Sequence, residues 1–66
     1  MAKNKNNVLA MKILETLKQK GELSITELSV ELREPYGKVY HTVTDMEKKG
    51  LVKTRRRGQL RLVRLA

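Results

Sequence analysis

Sixty-six residues leave room for one domain with one small core, and 15 Lys and Arg against 7 Asp and Glu give it a formal charge of +8. With no Cys, disulfides and thiolate metal sites are excluded, and one His cannot hold a zinc ion unaided. No apolar run approaches the ~18 residues of a membrane span, and no signal-peptide core follows the polar opening "MAKNKNN", so a soluble, cytoplasmic chain is expected.

Residues 1–6, with Lys3 and Lys5, read as a flexible basic arm, and residues 7–66 as the folded domain. A first helix is predicted from about Asn7 to Lys20, with Asn6 or Asn7 at the N-cap and Gly21 as the stop. Leu9, Ala10, Ile13, Leu14 and Leu17 form its apolar stripe. Val8 and Met11 fall off that stripe. They are either singly exposed side chains or the contact of a homodimer.

Ser24, followed three residues later by Glu27, spells a capping box, with Leu23 and Leu28 at the staple positions. A short helix from Ile25 to Arg33 follows, with Ile25, Leu28 and Leu32 inward. Pro35 suits the first position of a third helix running to about Lys49, with Gly50 just past its end. Val39, Val43 and Met46 form its inner stripe. Gly37 lies inside it at a cost of about 1 kcal/mol relative to Ala, explained by a close approach or by fraying near Pro35.

Residues 51–65 read "LVKTRRRGQLRLVRL" and lose helical periodicity. Strands over Leu51–Arg55 and Leu60–Leu65, joined by a turn about Arg56–Gln59, predict a β-hairpin. The alternation slips at Val63, which allows a bulge. Charge is segregated along the chain: residues 21–34 hold four Glu and one Arg, whereas residues 51–66 hold six cations and no acid. Segregation of this kind is the footprint of a polyanion-binding surface, against the simpler reading of a basic face kept for solubility.

The stretch "LSITELSVELREPYGKVYHTVTDMEKKGLVKTRRRGQLRLVRL" resembles the winged helix-turn-helix DNA-binding domain of small prokaryotic and archaeal transcriptional regulators. The pieces "SITEL", "VYHTVTDMEKKGLV" and the basic hairpin carry the likeness, which covers roughly residues 8–65. It departs from the family in the turn, where Arg33, Glu34 and Pro35 replace the usual Gly, apolar residue and helix-capping Ser or Thr. The resemblance implies an α+β fold, a three-helix winged helix-turn-helix with a C-terminal β-hairpin wing. It also implies that the third helix enters a DNA major groove.

On that helix Gly37, His41 and Thr44 stand opposite the inner stripe with Tyr40 flanking, and Tyr36 lies in the first turn, where recognition helices commonly reach base edges; these five are the candidates for base contacts. Lys38, Lys48, Lys53, Arg55, Arg56, Arg57 and Arg61 are the candidates for phosphate or minor-groove contacts from helix and wing. The expected partner is double-stranded DNA, bound by a homodimer with Val8 and Met11 at the dimer contact. A protein-docking module and a duplex-RNA binder are the alternatives. No catalytic group, metal site, cofactor or small-molecule effector is expected. The Gly37-Lys38 pair lacks the rest of a phosphate loop, and His41 and Asp45 have no accompanying nucleophile motif.

Overall fold

A computed structural model describes residues 4–66, with side chains from Val8 onward. The order is α1 (Asn4–Lys20), β1 (Leu23–Ser24), α2 (Ile25–Leu32), α3 (Tyr36–Lys48), β2 (Val52–Arg57) and β3 (Leu60–Leu65). Residues 1–3 of the expected basic arm lie outside the described residues. Asn4 to Asn6 continue α1, which begins earlier than the Asn7 boundary drawn from the sequence. Each residue added to an existing helix fixes one residue for one hydrogen bond, and nothing in this run stops it.

Gly21 (φ 82) ends α1, its amide donating to the Leu17 carbonyl at 2.7 Å. The capping box forms as spelled. The Glu27 amide donates to Ser24 Oγ at 3.1 Å, and the Ser24 amide donates to Glu27 Oε1 at 2.9 Å. Such a cap contributes about 1 kcal/mol, which matters for a helix of two turns. The turn into α3 holds Arg33, where a glycine would be unstrained, in the left-handed conformation at φ 56. The Arg33 amide donates to Val30 and the Glu34 amide to Ser29, so the helix end is closed despite the side chain. Pro35 stands at the N-cap of α3 rather than inside it and offers no side-chain cap. At the other end Gly50 (φ 79) and Leu51 donate back to Glu47 and Met46, closing α3 where the sequence placed its stop.

The three strands form one antiparallel sheet in the order β1-β3-β2. Strand β1 was not expected: two residues are too few to show a pattern, and only their pairing with Leu62 and Val63 defines them. The hairpin runs without a bulge from Val52↔Leu65 to Arg57↔Leu60, so the bulge that the broken alternation at Val63 allowed does not form. Its turn is the two residues Gly58 and Gln59, shorter than the expected Arg56–Gln59. Of the two only Gly58 has positive φ, as a type II′ turn requires.

The break in alternation has a simple origin. Val63 is fully buried on the core face and Leu62 is 9% exposed on the opposite face, so both faces of β3 are covered. The core draws on every layer: Leu9, Ile13 and Leu17 from α1; Ile25 and Leu28 from α2; Val39, Val43 and Met46 from α3; Val52 and Val63 from the hairpin. All three inner stripes read from the sequence lie against it, with Ala10, Leu14 and Leu32 at its margin. Thr42 joins them at 7% exposure, its hydroxyl satisfied by the Lys38 carbonyl at 2.9 Å.

Candidate nucleic-acid interface

Helices α2 and α3, joined through Arg33, Glu34 and Pro35, make a helix-turn-helix. Because Val39, Val43 and Met46 point inward, the 3.6-residue period turns Gly37, Tyr40 and His41 to solvent, and Tyr36 is exposed at the first position of the helix. Thr44 is half-buried, and its hydroxyl donates to the Tyr40 carbonyl at 2.9 Å. Lys48 is exposed in the last turn, and Lys38 is exposed but paired with Glu34 at 3.3 Å.

A Cβ built on Gly37 would meet nothing within 4 Å, so no close approach inside the chain explains this glycine. Gly37→Ala is therefore expected to raise stability by about 0.5–1 kcal/mol, since Ala is the better helix former and has open space. The same Cβ would stand between the helix backbone and any duplex laid against α3, so if α3 enters DNA as the resemblance implies, affinity for DNA should fall as stability rises. Denaturant unfolding and duplex titration of one variant check both. Unchanged affinity would remove Gly37 from the contact surface.

The pleat divides the basic cluster of the hairpin between two faces. Val52, Thr54 and Arg56 share the core face with Arg61 and Val63, whereas Lys53, Arg55 and Arg57 share the outer face with Leu62 and Arg64. The core face continues toward α3. Thr54 Oγ1 donates to Glu47 Oε2 at 2.9 Å, and Arg61 donates to Thr54 Oγ1 at 3.4 Å. The Arg61 guanidinium carbon lies 5.8 Å from the centre of the Tyr40 ring. The Tyr40 ring in turn stacks on that of Tyr36 at 6.3 Å between centroids and 8° between planes. Three residues expected separately as helix and wing contacts thus form one column. Thr54 and Glu47, which tie wing to helix, carried no sequence signal.

The outer face is organised differently. Arg55 donates twice to the Glu22 carboxylate, at 2.9 and 3.0 Å. Glu22 precedes β1 and Arg55 lies on β2, so the pair spans β3 on the face where Leu62 is buried. Arg55 is thereby drawn away from α3, unlike Arg56. Lys53 and Arg57 are exposed on this outer face, as is Arg64, which the candidate set omitted although the basic run contains it. Among the described residues, none of Lys53, Arg56, Arg57 and Arg64 has an ion-pair partner.

Register also sets Arg56 directly opposite Arg61 and Lys53 directly opposite Arg64. Like charges facing each other across a ladder are destabilising. The two pairs lie on opposite faces of the hairpin, Arg56–Arg61 on the core face and Lys53–Arg64 on the outer face, so only a polyanion that reaches round the wing would relieve both.

At the other side of the molecule Val8 is 51% exposed and Met11 69%. Met11 borders a shallow groove with Leu14, Glu15, Lys18 and Leu65.

The profile of the HVO_A0114 family matches residues 7–65. Among solved structures, HlyU from Vibrio cholerae N16961 is similar over 100% of this chain and 82% of its own, at 30% identity and a TM-score of 0.77. Reduced HlyU from the same organism is similar over 98% of this chain and 80% of its own, at 24% identity and a TM-score of 0.67, a likeness of fold alone. No curated protein matches the chain significantly.

Proposed function

Since the chain belongs to the HVO_A0114 family and folds as a winged helix-turn-helix similar to that of HlyU, a winged-helix transcriptional regulator, we propose that it regulates transcription by binding double-stranded DNA with sequence preference. In this reading α3 enters the major groove, and the β2–β3 wing lies on phosphates or the flanking minor groove. The observation that carries it is the meeting of α3 and the wing at Tyr40 and Arg61. Helix and hairpin there offer one continuous surface of hydrogen-bonding groups flanked by unpaired cations. Tyr36, Gly37, Tyr40, His41 and Thr44 face bases. Lys48, Lys53, Arg56 and Arg57 are among the groups that contact phosphates.

One such unit buries on the order of 600–1,000 Å² on DNA, which limits its specificity, so two copies act together. The exposed Val8 and Met11 beside the groove under Leu65 are the proposed homodimer contact. A dimer brings two copies of α3 to one DNA site, and light scattering with Met11→Glu tests the contact.

Selection of bound duplexes from a random pool is the deciding experiment. One enriched motif is expected, and Tyr40→Ala or Thr44→Ala should alter that motif rather than lower affinity for all sequences alike. A pool that emerges unenriched, or duplex RNA that competes as well as DNA, would overturn the reading.

A further inference from the structure

We propose that the Tyr36–Tyr40–Arg61 column reads thymine methyl groups in the major groove, and that Arg61 acts as the positioning residue of that column rather than as a phosphate contact. The inference rests on the DNA-binding reading above and names the base chemistry recognised. Two observations lead to it.

The first is that the two cations nearest the tyrosines, Lys38 and Arg61, already have partners. Along Tyr36–Glu47 the only cation is Lys38, and it is paired with Glu34 at 3.3 Å. Arg61 is half-buried, lies 5.8 Å from the Tyr40 ring centre, and donates to Thr54, which is bonded to Glu47. The commonest base contact, a bidentate cation on guanine O6 and N7, therefore has no ready donor in the first three turns of the helix.

The second is what stands there instead. Two parallel phenol rings, 51% and 41% exposed, project from successive turns. Thymine carries the only methyl in the major groove of unmodified DNA, and an apolar side chain is what marks it. Burying a methyl against a ring contributes a few-fold in affinity. The ring plane decides whether the methyl meets the apolar ring edge or the polar hydroxyl, and Tyr40, with Tyr36 stacked on it and the Arg61 guanidinium 5.8 Å from its centre, is held between the two. Lysine keeps the charge but has no planar group to stack.

The test uses the full chain and its best selected duplex, beside the same duplex with deoxyuridine at each thymine in turn. That exchange removes the methyl and leaves every hydrogen-bonding group. Wild-type protein should lose about fourfold in affinity per contacted methyl. Tyr40→Ala should bind both duplexes equally. Arg61→Lys should also lose the discrimination, while its melting temperature and salt dependence stay close to wild type. Equal affinity of wild-type protein for the two duplexes overturns this inference alone. So does an Arg61→Met variant that keeps the discrimination but lowers the slope of log affinity against log salt by about one, as a lost phosphate contact does. Absence of binding to any duplex overturns the regulator reading and this one with it.

Discussion

Leu28→Ala should cost 2–5 kcal/mol, about half or more of the ~3–10 kcal/mol that a chain of this length has to lose. Leu28 is fully buried in the middle of α2, a helix of eight residues that cannot stand without tertiary contacts. The cavity left behind would border the core contributed by α1, α3 and the hairpin. Each kcal/mol lowers the melting point of a domain this small by about 4–8 °C, so a fall of roughly 8–40 °C is expected in thermal unfolding followed by circular dichroism. Val30 lies on the same helix and is 72% exposed, so Val30→Ala should stay within about 0.5 kcal/mol of wild type. Equal melting of the two variants would mean that the inward face of α2 is wrongly assigned.

Neutralising the wing has the largest expected effect on binding. Counted per bound protomer, wild-type protein should show a slope of log affinity against log salt of roughly −4 to −6, the signature of about 5–7 phosphate contacts. Arg56→Ala with Arg57→Ala removes two of them. The slope should become shallower by about 1.8, and affinity should fall on the order of tenfold or more at moderate salt, alike for every sequence. Stability should not fall with it. Arg56 faces Arg61 across the ladder, so its removal relieves a like-charge pair. Arg55→Ala is the contrast, because Glu22 already holds both of its outward nitrogens on the other face of the sheet. Its slope should change less than that of Arg56→Ala. An equal change from both single variants would show that the Arg55–Glu22 pair opens on DNA.

The arginines of "RRR" illustrate what a sequence can convey about such a surface. Their density identified the wing as cationic, and the apolar residues on either side identified it as folded. Which arginine faces α3 depends on strand register, and register was ambiguous because Leu62 and Val63 are both apolar and adjacent. Only the pairing of β3 with β1 on one side and β2 on the other shows that each lies on a covered face. The Glu22 partner of Arg55 lies 33 residues away, beyond any local pattern. The same holds for Glu47 and Thr54, which are ordinary polar residues until α3 and the wing meet.

Other elements were set locally. The Ser24–Glu27 box, Gly21, Gly50 and Gly58 act within a few residues of themselves, so the elements they bound could be read in chain order. Helical periodicity likewise marked Leu9, Ile13, Leu17, Val39, Val43 and Met46 as the residues to be buried, because a stripe on a helix is a property of that helix alone. Arg33 marks the boundary between the two kinds of information. A left-handed residue was needed to end α2, yet the sequence offers no glycine there. The amides that close the turn on Val30 and Ser29 hold an arginine in that conformation, at a cost of about 1–2 kcal/mol that only a packed pair of helices can sustain.

The sequence by itself therefore determined the helices, their inward faces, the hairpin and the sign of the surface. These follow from short-range backbone preference and from charge, which do not depend on where the rest of the chain lies. Tertiary structure alone decided the third strand, the face on which each wing cation stands, and the joining of Tyr36, Tyr40 and Arg61. Those are relations between segments remote in the chain, fixed only when burial of one common core brings them together.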